Sequence, residues 1–126
     1  MTERRLISSG SKWEPLLGYS RAVVAGNTVY VSGTVGVEPD GTAAKDMYSQ
    51  ARRALAIIED ALRQAGATLA DVVRTRVFVT DVSRFDEIAK AHGEAFSTIR
   101  PATTIVEVSK LVALEFLVEI EAVAVL

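Results

Sequence analysis

The last strand-like run of the chain limits its folding options most. From Leu114 to Val125, Leu114, Phe116, Val118, Ile120, Ala122 and Ala124 fall on one side of an extended strand. Leu117, Val123 and Val125 fall on the other, mixed with Glu115, Glu119 and Glu121. A strand with one wet face alternates cleanly, whereas apolar residues on both faces mark a sheet covered twice. The chain therefore needs helices for one face of its sheet, and something outside itself for the other. A second copy is the simplest cover.

The rest of the sequence supplies the helices. Before them, Arg21–Ala25 and Thr28–Ser32 are β-prone runs joined by Gly26-Asn27, a pair suited to a two-residue turn because both tolerate positive φ. A short strand around Arg5 to Ser8 is expected ahead of this hairpin, and Asp40-Gly41 marks a further turn. Between Ala44 and Ala65 the period changes to that of a helix. Met47, Ala51, Ala54, Leu55, Ile58, Ala61, Leu62 and Ala65 form one stripe, with Gly66 placed to end it. Val72–Thr80 reads as a strand with Val73, Val77 and Val79 on one face. Ser83 and Asp86 resemble a capping box for a second helix, whose stripe is Phe85, Ile88, Ala89, His92, Ala95 and Phe96. Arg100-Pro101 stops that helix, and strands follow at Ala102–Val108 and Leu114–Val125. The expected order is β-β-β-α-β-α-β-β. This is an α+β fold in which two helices cover one face of a mixed sheet.

Composition narrows the function classes. A length of 126 residues suits one domain spanning 1–126. Apolar residues make up 49% of it and mean hydropathy is +0.25, so part of the apolar surface needs covering. No apolar stretch approaches the roughly 20 residues of a membrane span. Met1-Thr2-Glu3-Arg4-Arg5 leads into no long apolar segment, so no signal peptide is expected. Zero Cys excludes disulfides, thiol nucleophiles and thiolate metal sites, in keeping with a cytoplasmic protein. Fourteen Lys and Arg against sixteen Asp and Glu give a net charge of −2, unlike the basic balance of nucleic-acid binders.

One longer pattern remains. Arg100-Pro-Ala-Thr-Thr-Ile-Val-Glu-Val-Ser-Lys-Leu111 followed by Glu119-Ile-Glu-Ala-Val-Ala-Val125 resembles the signature of the Rid (YjgF-type) family. Gly18-Tyr19, Val31-Ser32-Gly33, Gln50-Ala51-Arg52 and Arg74–Asp81 extend the resemblance over nearly the whole chain. It implies a chorismate-mutase-like fold, three subunits packing their sheets into a central barrel, and small-molecule clefts between subunits. It also implies cofactor-free hydrolysis of enamines and imines such as 2-aminoacrylate to a 2-keto acid and ammonia. No metal is implied.

By the same resemblance Tyr19 is the cleft tyrosine, Ser32 and Gly33 line the pocket, and Glu119 positions the attacking water. Two positions depart from the pattern. Deaminating members read Pro-Ala-Arg, whose arginine grips the substrate carboxylate, where this chain has Pro101-Ala102-Thr103. Ala89 stands where many members have asparagine. A charged, bidentate contact contributes roughly 1.5–3 kcal/mol, or about 10- to 150-fold in binding. A 2-imino acid should therefore bind weakly. Arg21, two residues after Tyr19, could restore the positive charge if both lie in one strand. Arg100 is a weaker substitute, because it precedes a proline in a loop.

Each of these residues also has a plain structural explanation. Glu119 could be one of several solvated or paired strand carboxylates, Ser32-Gly33 a strand end or bulge, Tyr19 a ring packed at an interface, and Trp13 a packing residue or a cover over the cleft. Thr103 and Thr104 suit a strand by propensity alone. His92, the one histidine, sits on the apolar stripe and is expected to be a packed, hydrogen-bonded ring rather than a metal ligand. Three functions are compatible: a C=N hydrolase with altered substrate choice, a non-catalytic small-ligand-binding trimer, and a ribonuclease or translation inhibitor, which the acidic balance disfavours.

Overall fold

The computed structural model describes residues 3–126; Met1 and Thr2, the first residues of the stretch in which no signal peptide is expected, lie outside the described residues. Six strands form one sheet: β1 (Arg4–Ile7), β2 (Ala22–Ala25), β3 (Thr28–Val35), β4 (Val72–Val79), β5 (Ala102–Glu107) and β6 (Val118–Val125). Their order across the sheet is β1-β2-β3-β6-β4-β5, antiparallel throughout except for the parallel β4–β5 pair. Helices α1 (Trp13–Leu17), α2 (Met47–Gln64) and α3 (Phe85–Phe96) complete the chain. No described helix is long and apolar enough to cross a membrane.

Helices α2 and α3 lie on one face, as the periodicity predicts. Met47, Ala51, Ala54, Ile58 and Leu62 of α2 are buried with Ile88, Ala91 and Phe96 of α3, against Val29, Val77, Val118, Ile120 and Ala124 of the sheet. Asp46 starts α2 by accepting a hydrogen bond from the Ser49 N–H, a cap whose loss typically costs about 1 kcal/mol.

Several local expectations need correction. Of the turn pair only Gly26 has positive φ (63°), so glycine is required at the first central position and Asn27 is not strained. Val73 does not share a face with Val77; a register shift between Val72 and Arg74 leaves Val73 exposed and puts Val72 and Thr75 inside. Ser83 does not cap α3. Asp81 accepts from the Ser83 N–H and starts a 3-10 turn (Val82–Arg84) that runs into the helix. Phe85 and Ala89 are exposed, because the buried stripe runs through Ile88, Ala91 and Phe96 instead.

The last strand starts at Val118, not Leu114. Gln50 is the reason: its amide donates to the Glu115 carbonyl and accepts from the Leu117 N–H, holding that segment as a loop above α2. Leu114 is consequently 86% exposed. Helix α1 was not expected at all, and Trp13 on it is 54% exposed rather than packed.

The opposite face of the sheet is uncovered. Strand register aligns Leu6, Val23, Tyr30, Val123, Arg74 and Ala102 in one row across all six strands. A parallel row holds Val35, Glu119, Phe78 and Val106. Between them Arg76 pairs with Glu121 at 2.9 Å. The face is thus apolar in part but laced with charge. A shallow depression of about 200 Å³ opens here, lined among others by Val23, Tyr30, Arg74, Arg76, Glu121 and Val123.

Candidate functional site

The candidate site begins at an irregularity in β3. Register slips between Val31 and Thr34, so Ser32 and Gly33 bulge out of the ladder opposite β6. Bulges re-aim nearby side chains. Here the bulge admits the Glu119 side chain: a Cβ on Gly33 would stand 2.7 Å from Glu119 Oε2. Glycine is needed for that approach. The Ser32 hydroxyl donates to the Ser20 carbonyl at 2.7 Å, tying the bulge to the segment that leads into β2.

Arg21 organises the surroundings. It is only 7% exposed, and its guanidinium donates to the Gly33 carbonyl (3.0 Å), the Thr34 hydroxyl (2.7 Å) and the Tyr19 hydroxyl (3.1 Å). The Tyr19 ring lies 5.5 Å from the guanidinium carbon. The two residues do not share a strand, since β2 begins at Ala22; Gly18, left-handed at φ 83°, ends α1 and delivers Tyr19 to this place.

Glu119 is half-buried between Val35 and Phe78 on the uncovered face, and among the described residues it has no hydrogen-bond or ion-pair partner within 4 Å. Burial pushes its carboxyl above the usual range; the Arg21 charge opposes that shift and Glu121 adds to it. Glu14 behaves oppositely. Burial would raise it, but hydrogen bonds from the Ser9 hydroxyl and N–H, with help from Ser8 and Arg21, hold it below the ordinary carboxylate range. Sequence reasoning missed Glu14 and Thr34. The first had no signal without α1; the second sits two residues beyond the Ser32 already singled out.

Thr103 lies elsewhere. It pairs side by side with Thr75 on parallel strands, and Thr75, Val77 and Val79 are the buried, helix-facing residues of β4. Thr103 therefore projects to the helix side of the sheet and Glu119 to the other, two strands and three residues apart, or roughly 14 Å along the sheet. Tyr19, Arg21, Ser32, Gly33 and Glu119 come together within one subunit; Thr103 does not join them. Arg100, at φ 55° before Pro101, caps the end of α3 by donating its N–H to the Phe96 carbonyl. No group of three or more metal-ligating side chains occurs among the described residues. His92 is a half-buried ring against Phe96, as its place on the stripe predicts.

A two-layer α+β subunit with a half-buried, unpaired carboxylate beside a Tyr–Arg pair defines the class, and comparison with known proteins sharpens it. The profile of the endoribonuclease L-PSP family matches residues 10–126. The chain is 30% identical over 124 residues to human 2-iminobutanoate/2-iminopropanoate deaminase, covering 97% of this chain and 90% of that one. It is 35% identical over 118 residues to the uncharacterized protein SCO2049 of Streptomyces coelicolor, covering 93% and 88%. The crystal structure of Rv2704 from Mycobacterium tuberculosis, a member of the YjgF/YER057c/UK114 family, superposes with a TM-score of 0.92 at 52% identity over 98% of this chain and 100% of that one. The chain belongs to the Rid (YjgF) family.

Proposed function

We propose that three copies of this chain form clefts between subunits in which Glu119 directs water onto the C=N bond of a small compound that need not carry a carboxylate. The observation that carries this reading is the state of Glu119. Its carboxyl is half-buried, its pKa raised by that burial, and among the described residues it has no hydrogen-bond partner, although it feels the charge of Arg21, which holds the Tyr19 hydroxyl. A carboxylate whose pKa is raised is a stronger base than an ordinary one, which suits it to taking a proton from water.

The reaction balances without a cofactor. Glu119 takes one proton from water as the oxygen bonds to the iminium carbon and the C=N pair moves to nitrogen. The carboxyl then returns that proton to the amine; as the C–N bond breaks and the C=O bond forms, the Glu119 carboxylate takes the hydroxyl proton and passes it to the departing ammonia, so that R₂C=NH₂⁺ plus H₂O become R₂C=O and NH₄⁺. Tyr19 accepts a hydrogen bond from Arg21, so its own proton is free for the ligand. Arg21 lines this cleft: its two terminal nitrogens donate to protein atoms and hold the wall, while its buried Nε has no partner among the described residues. Ser32 and Gly33 shape the wall.

Thr103 supplies the second wall only if it comes from a neighbouring copy, since one subunit keeps it on the other face from Glu119. Its neutral hydroxyl favours uncharged ligands over 2-imino acids. That same neutrality supports the second reading, a cleft that binds without turnover.

Ammonia release from a neutral imine and from enzymatically generated 2-iminopropanoate separates these readings. Turnover of the neutral compound that falls in Glu119→Gln supports hydrolysis. Binding of both without turnover leaves a ligand-binding trimer. RNA cleavage lost in the same variant would replace both with a nuclease.

A further inference from the structure

At the β5 edge, three side chains form a hydrogen-bonded chain leading inward from the surface. Thr103 Oγ1 lies 2.8 Å from Thr75 Oγ1, which lies 2.9 Å from Nε2 of His92. Thr103 is exposed, Thr75 is 0% exposed and His92 is half-buried. The Thr103 hydroxyl also reaches the Pro101 carbonyl at 3.1 Å.

The buried member restricts how protons can be arranged. Thr75 has one hydroxyl proton and is fully buried, so its hydroxyl is satisfied by these two neighbours. Burial lowers the His92 pKa, so the ring is neutral near pH 7, with one nitrogen a donor and the other an acceptor. Two arrangements fit. With the proton on Nε2, His92 donates to Thr75 and Thr75 to Thr103, whose own proton goes to Pro101 or outward. With the proton on Nδ1, Thr75 donates to Nε2 and accepts from Thr103, which then offers only lone pairs to an outside group. The histidine tautomer thus sets whether the exposed hydroxyl donates or accepts.

We propose that His92, acting through Thr75, is a specificity-determining positioning residue that lets Thr103 present either a donor or an acceptor to an uncharged polar group, such as an amide, hydroxyl or neutral imine. It rests on the reading above that Thr103 faces the ligand. An arginine at this position could only donate and would demand an anion. The relay is self-contained within one subunit, and it selects neutral compounds in either direction.

Propionamide and propionate, matched in shape but not charge, serve as probes in NMR titrations of the intact protein, with His92 ring nitrogens followed by ¹⁵N shifts. Propionamide should shift Thr103 and change the His92 tautomer ratio, while propionate binds more weakly. Thr75→Val should weaken propionamide roughly three- to tenfold and uncouple His92 from it, and Thr75→Ser should restore both. If Thr75→Val does not fold, His92→Gln carries the same expectation for affinity. Affinity unchanged in these variants, or propionate binding as tightly as propionamide, overturns the relay while leaving the cleft. No shift at Thr103 with either probe overturns its place in the cleft, and the relay with it.

Discussion

Val118, Ile120, Ala122 and Ala124 on one side of β6 meet α2 and α3 and are buried, whereas Glu119, Glu121 and Val123 on the other side are only partly covered. The two sets alternate along the same eight residues. The helix side of β6 meets apolar packing, with no charged residue of this strand facing it. The uncovered side keeps a raised carboxylate, an Arg76–Glu121 pair and a glycine bulge, features that a stability-driven sheet would not select. Along β6, then, packing occupies one face and the candidate carboxylate chemistry the other. Substitutions one residue apart should then separate the two.

Ile120→Ala should have the largest effect. Removing a fully buried side chain from the helix face should cost about 2–5 kcal/mol in denaturant unfolding. A smaller loss would mean the face is less well packed than described. Next, Glu119→Gln should lower turnover of a C=N substrate by about 100-fold or more, with folding intact. Equal turnover would remove Glu119 from the chemistry.

Gly33→Ala tests the bulge. The three atoms nearest the added Cβ all belong to the flexible Glu119 side chain, so the stability cost should be about 1 kcal/mol, while ligand affinity falls through the displaced carboxylate. A large loss of stability with affinity unchanged would reverse that assignment.

The smallest effect concerns pH. A carboxyl raised above its unfolded value binds more protons folded than unfolded, so its ionisation reduces stability as pH rises from the unfolded value through the folded one. Glu119→Gln should therefore melt higher than the parent at neutral pH, and the difference should vanish below the unfolded carboxyl value. A gap that widened on acidification would mean that Glu119 is stabilised as an anion.

Much of this was legible in the sequence, and the failures share a cause. Periodicity located α2 because its stripe from Met47 to Leu62 packs on one sheet. It extended the last strand to Leu114 because alternation alone does not reveal that Gln50, more than sixty residues away, bends residues 115–117 into a loop. It placed Val73 with Val77 because a register shift has no local signature. The resemblance pointed to Tyr19, Ser32, Gly33 and Glu119, which do gather. It could not show that Thr103 faces α3, because the partner that fixes its direction is Thr75, twenty-eight residues earlier. Arg21 was found for the wrong reason: it reaches Tyr19 from the start of a strand to a loop, not along one strand.

Everything proposed for the site depends on the uncovered face meeting its counterparts on other copies. Light scattering coupled to size exclusion, at micromolar concentration and moderate salt, examines that directly. The account predicts a single species of about three times the 13.5 kDa chain mass, persisting on dilution. A folded species at 13.5 kDa would leave Thr103 and Glu119 on opposite sides of one sheet with no shared cleft, and would contradict it.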